Sequence, residues 1–157
     1  MINQAMKLLA DHGAIFVGQS VRYPGAMFAS LDGVPMEQRI EFPIAENLQM
    51  GFCTGLAMTG HLPVCIYPRM DFMLLALDQL VNHIDKMNPQ PTVIIRTAIG
   101  SRVPLDAGVQ HTQDHVYAFR QMMHNVFVFR LEEPDQVLPA YEAALRRGGV
   151  TILVENL

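Results

Sequence analysis

Glu46 closes the run Arg39-Ile-Glu-Phe-Pro-Ile-Ala-Glu46 and leads into the small-residue stretch Met50-Gly-Phe-Cys-Thr-Gly-Leu-Ala-Met-Thr-Gly60. A carboxylate directly after an apolar strand, opening a helix too apolar to face water, is costly to keep unless it has work to do. On these residues alone two readings of Glu46 stand: an acid that favours the helix macrodipole, or a group that handles a proton. His111-Thr-Gln-Asp-His115 sets two imidazoles one helical turn apart, the spacing of a metal-binding pair. The acid is misplaced for H-E-x-x-H and no third ligand is evident. A surface or capping pair, and His111 as an acid/base or charge-stabilising group at a loop end, are the other readings. Gly51, Gly55 and Gly60 form neither the G-x-G-x-x-G phosphate loop nor a P-loop with its Lys-Ser/Thr. Gly51 and Gly55 are instead expected to let another element approach their helix closely.

These groups need a scaffold, and 157 residues suffice for one domain with a sizeable core. Half the residues are hydrophobic, 17% are charged, and the mean hydropathy is +0.19. That is more apolar than a small monomer easily hides, so a large protein interface is expected. A net charge of −4 without a Lys/Arg cluster argues against nucleic acid as a partner. Cys53 and Cys65 read as reduced core thiols, and with no secretory signal or membrane-spanning run the expectation is a soluble, cytoplasmic protein without a membrane partner.

Apolar runs at Ala14 to Gly18, Ile40 to Phe42, Pro63 to Tyr67, Thr92 to Arg96, Val126 to Phe129 and Val150 to Val154 read as strands. Helices are expected over Asn3 to His12, Glu46 to Thr59, Asp71 to about Lys86, around Asp114 to Met123, and from Pro134 to the Gly148-Gly149 stop. Gln19 to Gln38 reads as a loop around a short helical piece, the kind of long irregular stretch that often binds, in which Arg22 and Tyr23 are either ordinary loop residues or contacts to a substrate or partner. Pro89-Gln-Pro91 reads as a break before the fourth strand. Strands alternating with helices imply an α/β fold, a parallel sheet with helices on both faces.

From Arg39 to Lys86 the chain resembles the pyrimidine-binding domain of thiamine-diphosphate-dependent enzymes, both 2-oxo acid dehydrogenase beta subunits and transketolases. Phe42-Pro-Ile-Ala-Glu46 is similar to the family's Thr-Pro-Ile-Ser/Ala-Glu, and Gly51 to Gly60 to its Gly/Ala-rich helix. Pro63-Val-Cys-Ile-Tyr67, Met70-Asp-Phe72 and Asp78-Gln-Leu-Val-Asn82 with Lys86 match the next strand and helix. Val93-Ile-Ile-Arg96, Gln110-His-Thr-Gln113 and Val154-Glu-Asn156 follow in the family's order, so the likeness runs along nearly the whole chain, most weakly before Arg39.

The resemblance implies roles. Glu46 aligns with the glutamate that hydrogen-bonds the aminopyrimidine of the cofactor and so promotes activation of the thiazolium carbon, and burial among Phe42, Ile44 and Phe52 is expected for it. Phe72 aligns with the aromatic residue stacked on the pyrimidine, Ile44 with an apolar contact to the same ring, and His111 with a histidine near the thiazolium and substrate. Leu75 stands where dehydrogenase relatives often carry a polar residue, and the chain between Lys86 and Arg96 is shorter than theirs. No Gly-Asp-Gly motif for Mg²⁺ and diphosphate occurs, and the sequence stops at Leu157. The expectation is therefore a single pyrimidine-binding domain over residues 1–157, without the diphosphate-binding and C-terminal domains. It would share thiamine diphosphate with a separate diphosphate-binding subunit that holds Mg²⁺, as an α2β2 hetero-oligomer with self-association. The implied reaction is decarboxylation of a small 2-oxo acid, with ketol transfer from a ketose or a noncatalytic assembly role as alternatives.

Overall fold

Five short runs rich in Val, Ile, Leu and Phe and the charged edge strand β2 (Arg39–Glu41) pair into a sheet, the five being β1 (Ala14–Gly18), β3 (Leu62–Ile66), β4 (Val93–Ile99), β5 (Phe127–Leu131) and β6 (Val150–Asn156). They lie in the order β2-β1-β3-β4-β6-β5, and every neighbouring pair is parallel. The computed structural model describes residues 1–87, 91–104 and 106–156. Pro89 and Gln90 of the expected break lie outside the described residues, as does Leu157.

Both faces of the sheet are covered, which explains why the inner strands read as continuous apolar runs rather than alternating ones. Alternation is present in which face each residue serves. Val17, Cys65, Ile95, Ile152 and Val154 point into one core with Met50 and Cys53 of α2 (Glu46–Met58) and Phe119 of α4 (Val116–Met122). Phe16, Val64, Ile66, Ile94 and Leu153 point into the other, with Met6 and Leu9 of α1 (Ile2–Asp11) and Tyr141 of α5 (Pro134–Arg147). Cys53 and Cys65 are free, buried thiols.

The stretch read as one helix from Asp71 to Lys86 is helical but not uniform. A single α-turn, α3 (Met70–Met73), passes into a 3₁₀ turn over Leu74–Ala76 and a π-helical segment over Asp78–Asp85. Tight and wide turns within one helix re-aim successive side chains, and such departures concentrate at functional sites. At α5 Pro134 occupies the first turn as expected, and Glu133 and Gln136 add a reciprocal capping box.

Of the two helix glycines, Gly51 is approached by another element: a Cβ there would lie 3.4 Å from Gln79 Oε1. Gly55 faces open space within this chain. Among the described residues no helix is long and apolar enough to cross a membrane.

Candidate functional site

In an open parallel sheet, ligands settle outside the carboxyl ends of strands whose onward connections leave in opposite directions. Here β1 leads outward to β2 while β3 leads to β4 on the other side, so the crevice lies at the ends of β1 and β3. The two ends are close: a Cβ on Gly18 would sit 2.6 Å from the Ile66 carbonyl oxygen, and only glycine allows that approach. Gln19 follows β1 directly, Tyr67 and Arg69 follow β3, and Glu46 opens the helix after the neighbouring β2.

Glu46 is the first residue of α2 and only 6% exposed. Its backbone carbonyl accepts a 2.9 Å hydrogen bond from the Tyr67 hydroxyl, and its Oε1 accepts one of 3.3 Å from Gln19 Nε2. No cation pairs with this carboxylate among the described residues. One turn on, Gln49 Nε2 donates to the Ile66 carbonyl at 2.9 Å and to Cys65 Sγ at 3.3 Å, which ties the start of α2 to the end of β3. Burial is the largest influence on the Tyr67 phenol and holds it protonated, with Cys65 and Glu46 adding to the effect. A protonated hydroxyl is what the bond to the Glu46 carbonyl requires.

Ile44 is 84% exposed, so within one chain it does not help to bury Glu46. Phe42 packs instead on Phe52, with ring centroids 5.4 Å apart. Phe72 and His111 are brought together from different connections: their rings meet edge to face at 5.4 Å. They share a cleft of about 430 Å³ with Met27, Phe28, Pro68 and Arg69. Neither Ile44 nor Glu46 lines that cleft; the link is local, because Ser20 lines it and Gln19 touches Glu46. Arg22 and Tyr23 are exposed and lie outside it.

The loop carrying His111 folds back on β4 through a 2.9 Å bond from Gly100 N to the His111 carbonyl. A Cβ at Gly100 would come within 2.5 Å of that oxygen. His111 and His115 do not converge: the His115 Nε2 is 3.8 Å from Asp71 Oδ1 instead. Among the described residues no three His, Cys, Asp or Glu side chains gather around a metal position.

Three charged residues to which the motifs assigned no role, the buried Arg39 and Arg96 and the exposed Glu41, shape the near wall. Glu41, at the end of β2, accepts from the backbone N–H groups of Ser20, Val21 and Arg22 at 2.5, 2.8 and 3.0 Å. Arg39 donates to the carbonyls of Val21, Leu31 and Val34. Arg96 forms a two-pronged pair with Glu155, both bonds 2.9 Å, and donates to Ser30 Oγ at 2.7 Å. The sequence signal for Arg96 was its place inside the apolar strand Val93 to Ile99, where a charge must find partners, whereas Arg39 heads β2 without such a signal.

The family "Transketolase, pyrimidine binding domain" matches residues 1–156. The chain is 26% identical over 120 residues to the 3-methyl-2-oxobutanoate dehydrogenase subunit beta of Mycobacterium tuberculosis, a match covering 73% of this chain and 34% of that protein. It is 28% identical to the pyruvate dehydrogenase E1 component subunit beta of Gracilaria tenuistipitata var. liui, over 75% of this chain and 38% of that one. A solved split gene transketolase, described as an inactive beta4 tetramer, superimposes with a TM-score of 0.78 at 18% identity, covering 99% of this chain and 50% of the other. The chain thus spans less than half the length of these two curated relatives, and the solved neighbour shares the α/β fold. A six-stranded parallel sheet, a buried acid at the head of α2 and a match along nearly the whole sequence together place this chain in the transketolase pyrimidine-binding-domain family.

Proposed function

We propose that this chain supplies the pyrimidine side of a thiamine-diphosphate site and works with a diphosphate-binding subunit in the decarboxylation of a 2-oxo acid. The observation that carries this reading is Glu46: a buried carboxylate at the crevice of the sheet whose side chain meets only one neutral amide, from Gln19, among the described hydrogen bonds. A carboxyl group in that state has lone pairs free for a ring nitrogen, and it is the group the cofactor requires here. Phe72 offers an aromatic face in the cleft it shares with His111, and the exposed Ile44 an apolar contact to a ligand or a second chain.

When bound, thiamine diphosphate supplies an electron sink for cleavage of a C–C bond next to a carbonyl. The chain's own residues would do the following. Glu46 holds and shares a proton at the pyrimidine nitrogen. Gln19 keeps that carboxyl oriented. Phe72 fixes the ring plane, and its edge contact sets the imidazole of His111, which donates toward a substrate carboxylate or developing oxyanion. The partner subunit would hold the diphosphate through Mg²⁺. The named beta-subunit relatives favour 2-oxo acid chemistry, whereas the split gene transketolase keeps ketol transfer as the second reading.

Isolation of this chain with the subunits that assemble on it, followed by reconstitution with a diphosphate-binding subunit, tests the assignment. Glu46→Gln is expected to slow proton exchange at the thiazolium carbon and turnover by about 100-fold or more. Wild-type rates in the variant would overturn the role of Glu46, and a complex that never takes up thiamine diphosphate would overturn the function.

A further inference from the structure

The cleft shared by Phe72 and His111 carries one guanidinium, that of Arg69. Its Nη1 donates to the carbonyl of Pro68, the residue beside it, at 2.7 Å. Its Nε is buried without a hydrogen-bond partner. Among the described residues it joins no ion pair, and no carboxylate is among the cleft's lining residues. Burial lowers its pKa from the ordinary value, and the carboxylate of nearby Asp71 offsets this only in part. Asp71 itself lies toward His115 and keeps an unpaired Oδ2. A partly desolvated cation without a counter-ion is a cost to the fold, and because its Nε is enclosed against Gly100, the terminal nitrogens are the ones an anion in the cleft would meet.

The surroundings of Arg69 are built to hold it. The Phe28 ring lies 5.2 Å from the guanidinium carbon, within the range of a cation–π contact. Phe28 is 66% exposed, so its position is not explained by core packing. Its backbone is left-handed, with φ of 58°, and so are those of Met27 at 49° and Ala29 at 59°. Three consecutive non-glycine residues in that region cost about 1–2 kcal/mol each, and such strain persists where the surroundings impose it. Here Arg39, Glu41 and Arg96 pin the loop on both sides.

We propose that Arg69, backed by Phe28, binds an anionic group of the substrate, a carboxylate or a phosphate, in the Phe72–His111 cleft. The assignment to a substrate rests on the thiamine-site reading above. The planar guanidinium presents a fork that matches either oxyanion. A carboxylate reader suits the 2-oxo acid reading, and a phosphate reader the ketol-transfer one.

The test follows the side-chain N–H signal of Arg69 by NMR in the full chain during titration with pyruvate, 2-oxoglutarate, inorganic phosphate, inorganic pyrophosphate and uncharged acetone. A saturable shift with a 2-oxo acid or with phosphate, and none with acetone, is expected. Arg69→Gln should weaken that binding at least about tenfold, judged by the His111 imidazole signals, with Arg69→Lys intermediate. Arg22→Gln, which alters an exposed cation outside the cleft, should bind as wild type does. Response to carboxylates alone would name the acid class, and response to phosphate alone the phosphorylated class. Unchanged affinity in Arg69→Gln, or no response to any anion, would overturn the proposal. Binding of pyrophosphate alone would overturn it too, by assigning Arg69 to the cofactor. Addition of thiamine diphosphate to the complex with the diphosphate-binding subunit separates the two readings. Anion binding that depends on Arg69 in a complex that never takes up the cofactor would sink the thiamine function while leaving an anion site.

Discussion

Glu46 has a structural role and a proposed catalytic one, and a single substitution can separate them. As the first residue of α2 it interacts favourably with the helix macrodipole, an effect worth about 0.3–1 kcal/mol. As a proton handle it would be worth far more to catalysis than to folding. Glu46→Gln should therefore lower stability by no more than about 1 kcal/mol in urea denaturation, against the much larger kinetic loss expected above. A large stability loss with ordinary turnover would leave only the structural role. Arg96 is the opposite case. Its pair with Glu155 is almost wholly buried, and Tyr141 donates a 2.6 Å hydrogen bond to the same carboxylate. Burial opposes the charge of Arg96, but Glu155 and Tyr141 outweigh it and its pKa is raised. Arg96→Leu leaves Glu155 without its cation and should cost about 3–5 kcal/mol in the same assay. Replacing both partners by apolar residues should cost less, because no lone charge then remains buried.

At the level of elements, the connection from Gln19 to Gln38 was legible as an irregular stretch but not as an ordered one. It has almost no regular structure, with a 3₁₀ turn over Met36–Gln38 before β2. Side chains from β2 and β4 hold it, and these lie far from it in sequence or beyond its end, so no local pattern records them. Two predictions follow from this dependence. Glu41→Gln should weaken three backbone hydrogen bonds and cost about 1–3 kcal/mol. Faster amide exchange should be confined to Ser20, Val21 and Arg22, and exchange unchanged at these amides would refute the pinning. Ala29→Gly should raise stability by up to about 1 kcal/mol, since glycine adopts a left-handed backbone without the penalty alanine carries. The mixed helix from Met70 to Asp85 belongs to this scale as well. Its apolar start marks a wall, but the change from α to 3₁₀ to π turns depends on how it packs against α2 and the sheet.

Across the whole molecule, the apolar excess has a location. Leu48, Phe52 and Met58 of α2 are exposed at 61%, 38% and 69%, with Ile44 at 84% just before the helix and Leu75 at 64% in the 3₁₀ turn that packs against it. Leu48 and Phe52 lie one turn apart, and Gly55, next along that face, meets nothing within this chain. As part of the proposed function, this surface is where a second chain would pack. Leu48→Glu should shift the protein toward the monomer in sedimentation, with its circular dichroism unchanged; unchanged association would move the interface elsewhere. The sequence alone determined the α/β class and the alternation of strands and helices, and its motifs with the family resemblance singled out Glu46, His111 and Phe72 as candidates. Those features rest on local rules: apolar periodicity, caps and a contiguous motif. Only the tertiary structure decided that Phe72 and His111 share a cleft which Glu46 does not line, that Ile44 is exposed, and that Arg69 and Phe28 belong to that cleft. These facts depend on which strand ends become neighbours, and long-range parallel pairing sets that order without leaving a trace in any one segment.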